Sequence, residues 1–313
     1  MRLVNLNIKK LHGCYNYNVK FNTDVTFIYG ANGCGKTTVL NITEAVISGE
    51  LFKLFNYQFE EVKLGYAKSE NLNDIKYIVI KLKKSNLDIE FNNQNYNIEI
   101  DGLFESMRFS KGNLRNITEV YFKRYNFLFE IKNTFNYVCL TLNCSNILYG
   151  YGMGVQKFHL SHNFLDKEPA VSQSENLIYN EQLRKSIEIF KSIINEFIGD
   201  SVNKKRIKID TMGKIFFTTK YSKDKIKVQH LSSGEKRLIV FFANLIFNVR
   251  NNLSGIFVID EPELSLHLSW QKIFVEKVLE VNNNIQLIFA THAPEIIGKN
   301  RSKIYKLESE YVF

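Results

Sequence analysis

Prolines are almost missing from this chain of 313 residues: there are three, with one tryptophan and four cysteines. So few prolines, with 16 glycines, leave little material for extended disordered linkers. No run of eighteen or more apolar residues occurs, which excludes a membrane-spanning helix. The opening MRLVNLNIKK has no apolar stretch of the kind a secretion signal carries. Cys14, Cys34, Cys139 and Cys144 are scattered without metal-ligand spacing, so reduced thiols and a cytoplasmic location are expected. Neither internal repeats nor low-complexity tracts are seen.

What is present suits a single large α/β unit with an inserted or appended lobe. Hydrophobic residues make up 45% and aromatic residues 13%, ample for a core. The net charge of +9 is compatible with nucleic-acid contact and equally with a solvated surface or the balancing of a bound polyanion.

Residues 25–29, VTFIY, read as a buried strand, and VLNITEAVIS from residue 39 has helical spacing. Between them stands Gly30-Ala-Asn32-Gly33-Cys34-Gly35-Lys36-Thr37-Thr38, a GxxxxGK[ST] phosphate loop in its proper strand–turn–helix context. Its glycines let successive N–H groups face the phosphates of ATP, and the helix start adds a favourable dipole. Lys36 is expected to reach the β- and γ-phosphates, and Thr37 to place its hydroxyl on Mg²⁺.

A second apolar strand, IFVID at 256–260, ends in Asp260 and is followed by Glu261-Pro262-Glu263. Asp260 suits the Mg²⁺ shell and Glu261 the polarisation of an attacking water. The same residues taken alone would serve as ordinary helix-start chemistry. Leu231-Ser232-Ser233-Gly234-Glu235-Lys-Arg237 precedes an apolar helix. It reads either as a plain capping motif or as a hydroxyl and N–H donors offered to a γ-phosphate. A third strand, IQLIFA at 285–290, runs into Thr291-His292, where the imidazole is placed for the γ-phosphate or the water.

The order GANGCGKTT, LSSGEKR, IFVIDEPELSLH and LIFATHAPEII resembles the Walker A, signature, Walker B/D-loop and switch-histidine series of ABC-type ATPases. Within them it is most similar to the SMC/RecF/OLD-like branch, and especially to the small AAA-type ATPases of bacterial defence systems such as Septu and retrons. The opening RLVNLNIKKLHGCYNYNVKF is similar to that branch's first strands. The resemblance implies an ABC ATPase head with a P-loop mixed sheet, an antiparallel side sheet and a helical insert. Lobe I would span about 1–130, the insert about 131–203 and lobe II about 204–313. It further implies a homodimer, or a higher oligomer, with two ATP molecules sandwiched between subunits. The Ser232, Gly234 and Glu235 segment of one subunit would close over the nucleotide held by Gly30 to Thr38 of the other. Asn32 would belong to the phosphate loop, and Leu264 to His267 would form the D-loop. Ser233 stands where transporters carry glycine, His12 where relatives often carry arginine, and Arg124 near the expected glutamine of the Q-loop.

Residues 58–101 alternate as several antiparallel strands, and 175–198 form an amphipathic helix too short for an SMC arm. His159-Leu-Ser-His162-Asn163 lacks further ligands and reads as a surface loop. The lysine-rich stretch 204–227 reads as a phosphate-contacting surface or a protected sheet edge. The chain ends soon after His292, so no TOPRIM nuclease domain is expected and any nuclease would be a separate effector. Three functions follow: a slowly hydrolysing ATPase switch in a bacterial or phage defence system, a DNA-repair ATPase, or, least favoured, a transporter motor.

Overall fold

A computed structural model describes residues 1–69, 71–84, 86–99, 125–135, 173–199, 204–210, 214–222, 224–248, 255–264, 266–308 and 310–311. The chain divides into two compact units. The first comprises Met1–Cys139, Ser254–Asp260 and Asn284–Phe313; the second comprises Leu140–Leu253 and Glu261–Asn283. This is not the sequential division into lobes at about 130 and 204. The strands after residue 254 return to pair with the P-loop strand, a non-local parallel pairing that local periodicity cannot report.

In the first unit, β1 (Arg2–Leu11) and β2 (Tyr15–Lys20) form a hairpin, and β3 (Val25–Tyr29) leads to helix α1 (Lys36–Ile47). β4 (Glu61–Lys68), β5 (Asn71–Lys83), β6 (Asn86–Phe91) and β7 (Gln94–Glu99) follow as an antiparallel meander, as their alternation predicts. Helix α2 covers Phe127–Phe135. With β14 (Glu310–Tyr311) these strands make a seven-stranded sheet in the order β14-β2-β1-β4-β5-β6-β7. Its inner face buries Leu6, Ile8, Val19, Val62, Leu64, Ile78 and Ile80. Its outer face carries a row of ions, with Lys9 and Lys81 both on Glu61 at 2.8 and 3.7 Å.

β11 (Gly255–Asp260), β12 (Ile285–Ala290), β3 and β13 (Ile304–Lys306) form a parallel sheet in the order β11-β12-β3-β13. These strands are near-continuous apolar runs, as parallel strands covered on both faces must be. One apolar core joins both sheets through α1, whose Val39, Leu40, Ile42 and Val46 are buried with Val258 and Ile288. Gln286, fully buried in β12, fastens the first strand to the parallel sheet. Its oxygen accepts from Leu3 N at 2.7 Å, and its nitrogen donates to Leu3 O at 2.9 Å and Asn22 O at 2.7 Å.

The second unit contains α3 (Gln173–Ile198), which covers the helix expected at 175–198, and a three-stranded antiparallel sheet. That sheet is β8 (Arg206–Ile209), β9 (Ile215–Thr218) and β10 (Ile226–Lys227). Helix α4 (Ser233–Ala243), a π-helical segment at Asn244–Asn248 and helix α5 (Leu268–Val281) follow in this unit. Phe190, Phe197, Phe241, Phe242, Phe247 and Phe274 make its core, with ring centroids 5.1–6.1 Å apart. Asn195 Oδ1 accepts from Ile207 N at 2.9 Å, which sews α3 to the small sheet. Helix α6 (Pro294–Ile297), in the first unit, starts behind Thr291-His292. No helix among the described residues is long and apolar enough to cross a membrane. Arg124 and the His159–His162 loop lie outside the described residues.

Candidate functional site

The parallel register places Asp260, Ala290 and Ile28 side by side at the carboxyl ends of β11, β12 and β3. Loops leaving these three strand ends therefore emerge on one edge of the sheet, where α/β proteins bind their ligands. The residues expected to act in phosphate chemistry occupy that edge: the loop Gly30–Gly35 after β3, Asp260 closing β11, and Thr291-His292 after β12.

Gly35 precedes α1 with φ 97, a left-handed backbone that side chains rarely adopt. A Cβ there would also lie 2.6 Å from the Tyr17 hydroxyl oxygen. Gly30 is confined differently, since its Cβ would lie 2.6 Å from Cys34 Sγ. Lys36 is 5% exposed, and its ammonium donates to Gly30 O and Ala31 O at 2.9 Å each, drawing the loop into a ring. Tyr17, reaching from β2, donates its hydroxyl to Cys34 O at 3.0 Å and backs the loop from behind. The front of the loop is open: Ala31, Asn32, Gly33 and Thr37 are exposed, and Thr38 is half-buried.

The start of α1 is chemically bare. No side chain caps it, and no acid stands in its first turn. The first N–H groups of a helix have no intrahelical acceptor, so an anion is their natural cap.

Asp260 is half-buried, with Oδ1 fully enclosed. The next residue, Glu261, has φ 44, a left-handed conformation costly for a residue with a Cβ and characteristic of functional turns. Glu261 O then accepts from Leu264 N at 3.1 Å, starting the short 3₁₀ turn Pro262–Leu264. Thr291 is fully buried and its Oγ1 accepts from Ala293 N at 3.0 Å, which turns the chain so that His292 is exposed.

The segment Leu231–Arg237 belongs to the second unit. Ser232 is the cap of α4. Its N–H donates to Glu235 Oε2 at 2.8 Å while Glu235 N donates back to Ser232 Oγ at 3.3 Å, a reciprocal capping box. Glu235 is 5% exposed, and Lys205 lies 2.9 Å from Oε1 and 3.1 Å from Oε2. The carboxylate is thereby held within the protein, while Ser232 and Ser233 are exposed and Gly234 is half-exposed. Downstream, exposed Leu264, His267 and Leu268 surround the loop that the buried Gln271 pins by donating to Leu266 O at 2.9 Å.

Sequence reasoning missed Tyr17 and Lys205. The inward alternation of β2 marks Tyr17 as buried but cannot say that its hydroxyl meets the loop. Lys205 stands in a run of lysines, and nothing local separates it from its neighbours.

Among the described residues no group of three or more His, Cys, Asp and Glu could hold a metal ion by itself. A hydroxyl from Thr37 and a carboxylate from Asp260 nonetheless fit Mg²⁺ carried in on a nucleotide. That ion is commonly held by one or two protein oxygens plus phosphates and water.

Solved structures confirm the architecture. The chain is similar over 100% of its length to an SMC head bound to the C-terminal winged-helix domain of ScpA, at a TM-score of 0.57 with 15% identity, covering 98% of that chain. It is likewise similar to the SMC head domain from Thermotoga maritima, at a TM-score of 0.51 with 15% identity, covering 100% of both. The fold is therefore that of an SMC head domain. Residues 82–298 match the family described as "AAA domain, putative AbiEii toxin, Type IV TA system", and the chain belongs to that family.

Relatives lie in the same field. The "Septu protein PtuA" of Bacillus thuringiensis is 24% identical over 327 aligned positions, covering 93% of this chain and 72% of that protein. The "Retron Vc95 probable ATPase" of Vibrio cholerae is 29% identical over 160 residues, covering 48% of this chain and 30% of that protein. The "Retron Ec83 probable ATPase" of Escherichia coli is 35% identical over 80 residues, covering 23% of this chain and 15% of that protein. The matches thus span less than a third of either retron relative's length.

Proposed function

We propose that this chain binds Mg·ATP in the Gly30–Thr38 loop and hydrolyses it slowly as a head-to-head dimer. In this reading it is the sensing or regulatory switch for a separate effector, such as a nuclease, in a bacterial or phage defence system. The observation that carries the proposal is the start of α1: a loop closed by Lys36, no side-chain cap and no acid, on the same sheet edge as Asp260 and His292.

Thr37 and Asp260 would hold the Mg²⁺, which neutralises phosphate charge when bound. Glu261 takes the proton of the attacking water as its oxygen adds to the γ-phosphorus. The bond to the β–γ bridging oxygen breaks, giving ADP and phosphate, and His292 donates a hydrogen bond to the γ-phosphate. Ser232 and Gly234 of the opposing subunit close over that phosphate, and Leu264 to His267 lie at the subunit contact. The exposed leucines at 264 and 268 support such a contact. Similarity to Septu and retron proteins supports the defence setting and the separate effector.

The direct test is phosphate release from Mg·ATP by the full chain and its Glu261→Gln variant. The variant should bind ATP and lose release by roughly a hundredfold or more; an unchanged rate would refute Glu261 as the base.

A second reading, a DNA-repair ATPase, is favoured by one feature. Arg206, Lys208 and Lys227 are exposed on the small sheet, and Lys225 lies 4.8 Å from the Phe216 ring centroid. Salt-sensitive DNA binding that stimulates hydrolysis would support it.

A further inference from the structure

The capping box of α4 contains a charge that conflicts with the task of the helix. A carboxylate in the first turn stabilises a helix start by itself, because it faces the positive end of the dipole. The same carboxylate repels a phosphate that approaches that end. Glu235 is 5% exposed, so water does little to screen it. Its one ion-pair partner among the described residues is Lys205, 2.9 Å from Oε1, whose side chain is itself only 16% exposed. The two meet across 30 residues of sequence, Lys205 coming from the approach to β8.

We infer that Lys205 is a positioning residue for the signature segment. It cancels the charge of Glu235 and keeps the capping box formed, so that the start of α4 can accept the γ-phosphate of a nucleotide held by a second copy of the chain. This deepens the closure reading above and rests on it. The hydrogen-bond directions support the division of labour. Ser232 Oγ accepts from Glu235 N, which leaves the hydroxyl's own proton to donate outward. Ser232 is exposed, as that role requires. Glu235 thus serves phosphate recognition indirectly, by aiming Ser232, and Lys205 removes the repulsion this arrangement would otherwise bring.

The test uses the full chain carrying Glu261→Gln, so that ATP persists, and reads the ATP concentration giving half-maximal dimer by light scattering. ADP affinity and the thermal midpoint are recorded beside it. K205M should raise the half-point by roughly tenfold or more, the scale expected of an uncancelled charge beside an anion. ADP affinity, set by the P-loop alone, should stay within about twofold. Adding E235Q to K205M should restore the half-point to within about threefold, since glutamine still accepts from Ser232 N but carries no charge. K205R should fall between the parent and K205M.

A K205M half-point equal to the parent's overturns the inference, as does a folded K205M/E235Q protein whose closure is not restored. Should K205M fail to fold, the double variant decides alone: closure like the parent's supports the inference, and loss of closure in a folded protein overturns it. A Glu261→Gln parent that binds ATP and stays monomeric refutes the closure reading itself, and the inference with it.

Discussion

Two helices of this protein begin at turns suited to phosphate, and they begin in opposite ways. At α1 the cap is Gly35 in a left-handed conformation, with no side-chain cap and no acid in the first turn. At α4 the cap is Ser232, bound reciprocally to Glu235, which is bound in turn to Lys205. The first start is incomplete without an anion, and the second is completed by the protein. A site that must hold a polyanion tightly leaves backbone donors unmet. A site that must meet the same anion only on closure is preformed, and charge cancellation within it sets how strongly it attracts.

The contrast can be broken most forcefully at the open end. Lys36→Ala removes both the loop-closing hydrogen bonds and the cation, and ATP affinity measured by equilibrium dialysis should fall roughly a hundredfold or more. Undiminished affinity would mean that the loop does not hold phosphate. Gly35→Ala forces a Cβ into a left-handed residue against Tyr17, which should cost about 1–3 kcal/mol in denaturant unfolding and weaken ATP binding with it.

At the closed end the effects are smaller. Ser232→Ala should lower stability by about 0.5–2 kcal/mol through loss of the cap, and should weaken ATP-dependent dimerisation. A dimer half-point unchanged from the parent's would confine Ser232 to a capping role. Tyr17→Phe removes the hydroxyl behind Cys34 O, a loss of about 1 kcal/mol, and ATP affinity should drop several-fold if the loop's shape depends on it.

The smallest effect lies away from both helix starts and serves as a control. The hydrogen bond from Lys9 holds the Glu61 carboxyl below its ordinary range against the opposing effect of burial, and the charges of Lys9, Lys81 and Lys63 lower it further. Its contribution to stability is present above the carboxylate's unfolded pKa and is lost as pH falls through the lower folded value. Glu61→Gln should therefore remove a component of acid-induced unfolding worth under about 1 kcal/mol, visible as a flatter stability profile below about pH 5.

The open end was largely legible in the sequence. VTFIY, the glycine loop and the helix from Lys36 are contiguous, and the chemistry of such a loop depends on backbone groups that spacing alone positions. The strands ending in Asp260 and Ala290 were legible for a similar reason, since short, near-continuous apolar runs are what a covered parallel sheet requires. Their assignment to a separate lobe was not the observed division, because the pairing of Ala290 with Ile28 joins residues 262 apart and leaves no local trace. The closed end was legible only by half. Ser232 and Glu235 announce a capping box, but the lysine that completes it lies thirty residues away among others of equal charge. The strained backbone of Glu261 was likewise invisible, as no residue type at that position advertises a positive φ.

The central claim is that ATP draws two copies of this chain together. The most direct measurement is the mass of the Glu261→Gln protein by light scattering, with and without Mg·ATP, while dialysis reports bound nucleotide. The account predicts a doubling of mass when ATP is bound and none with ADP. An ATP-bound protein that remains a monomer across the accessible concentration range would contradict it, and would leave the start of α4 without a phosphate to meet.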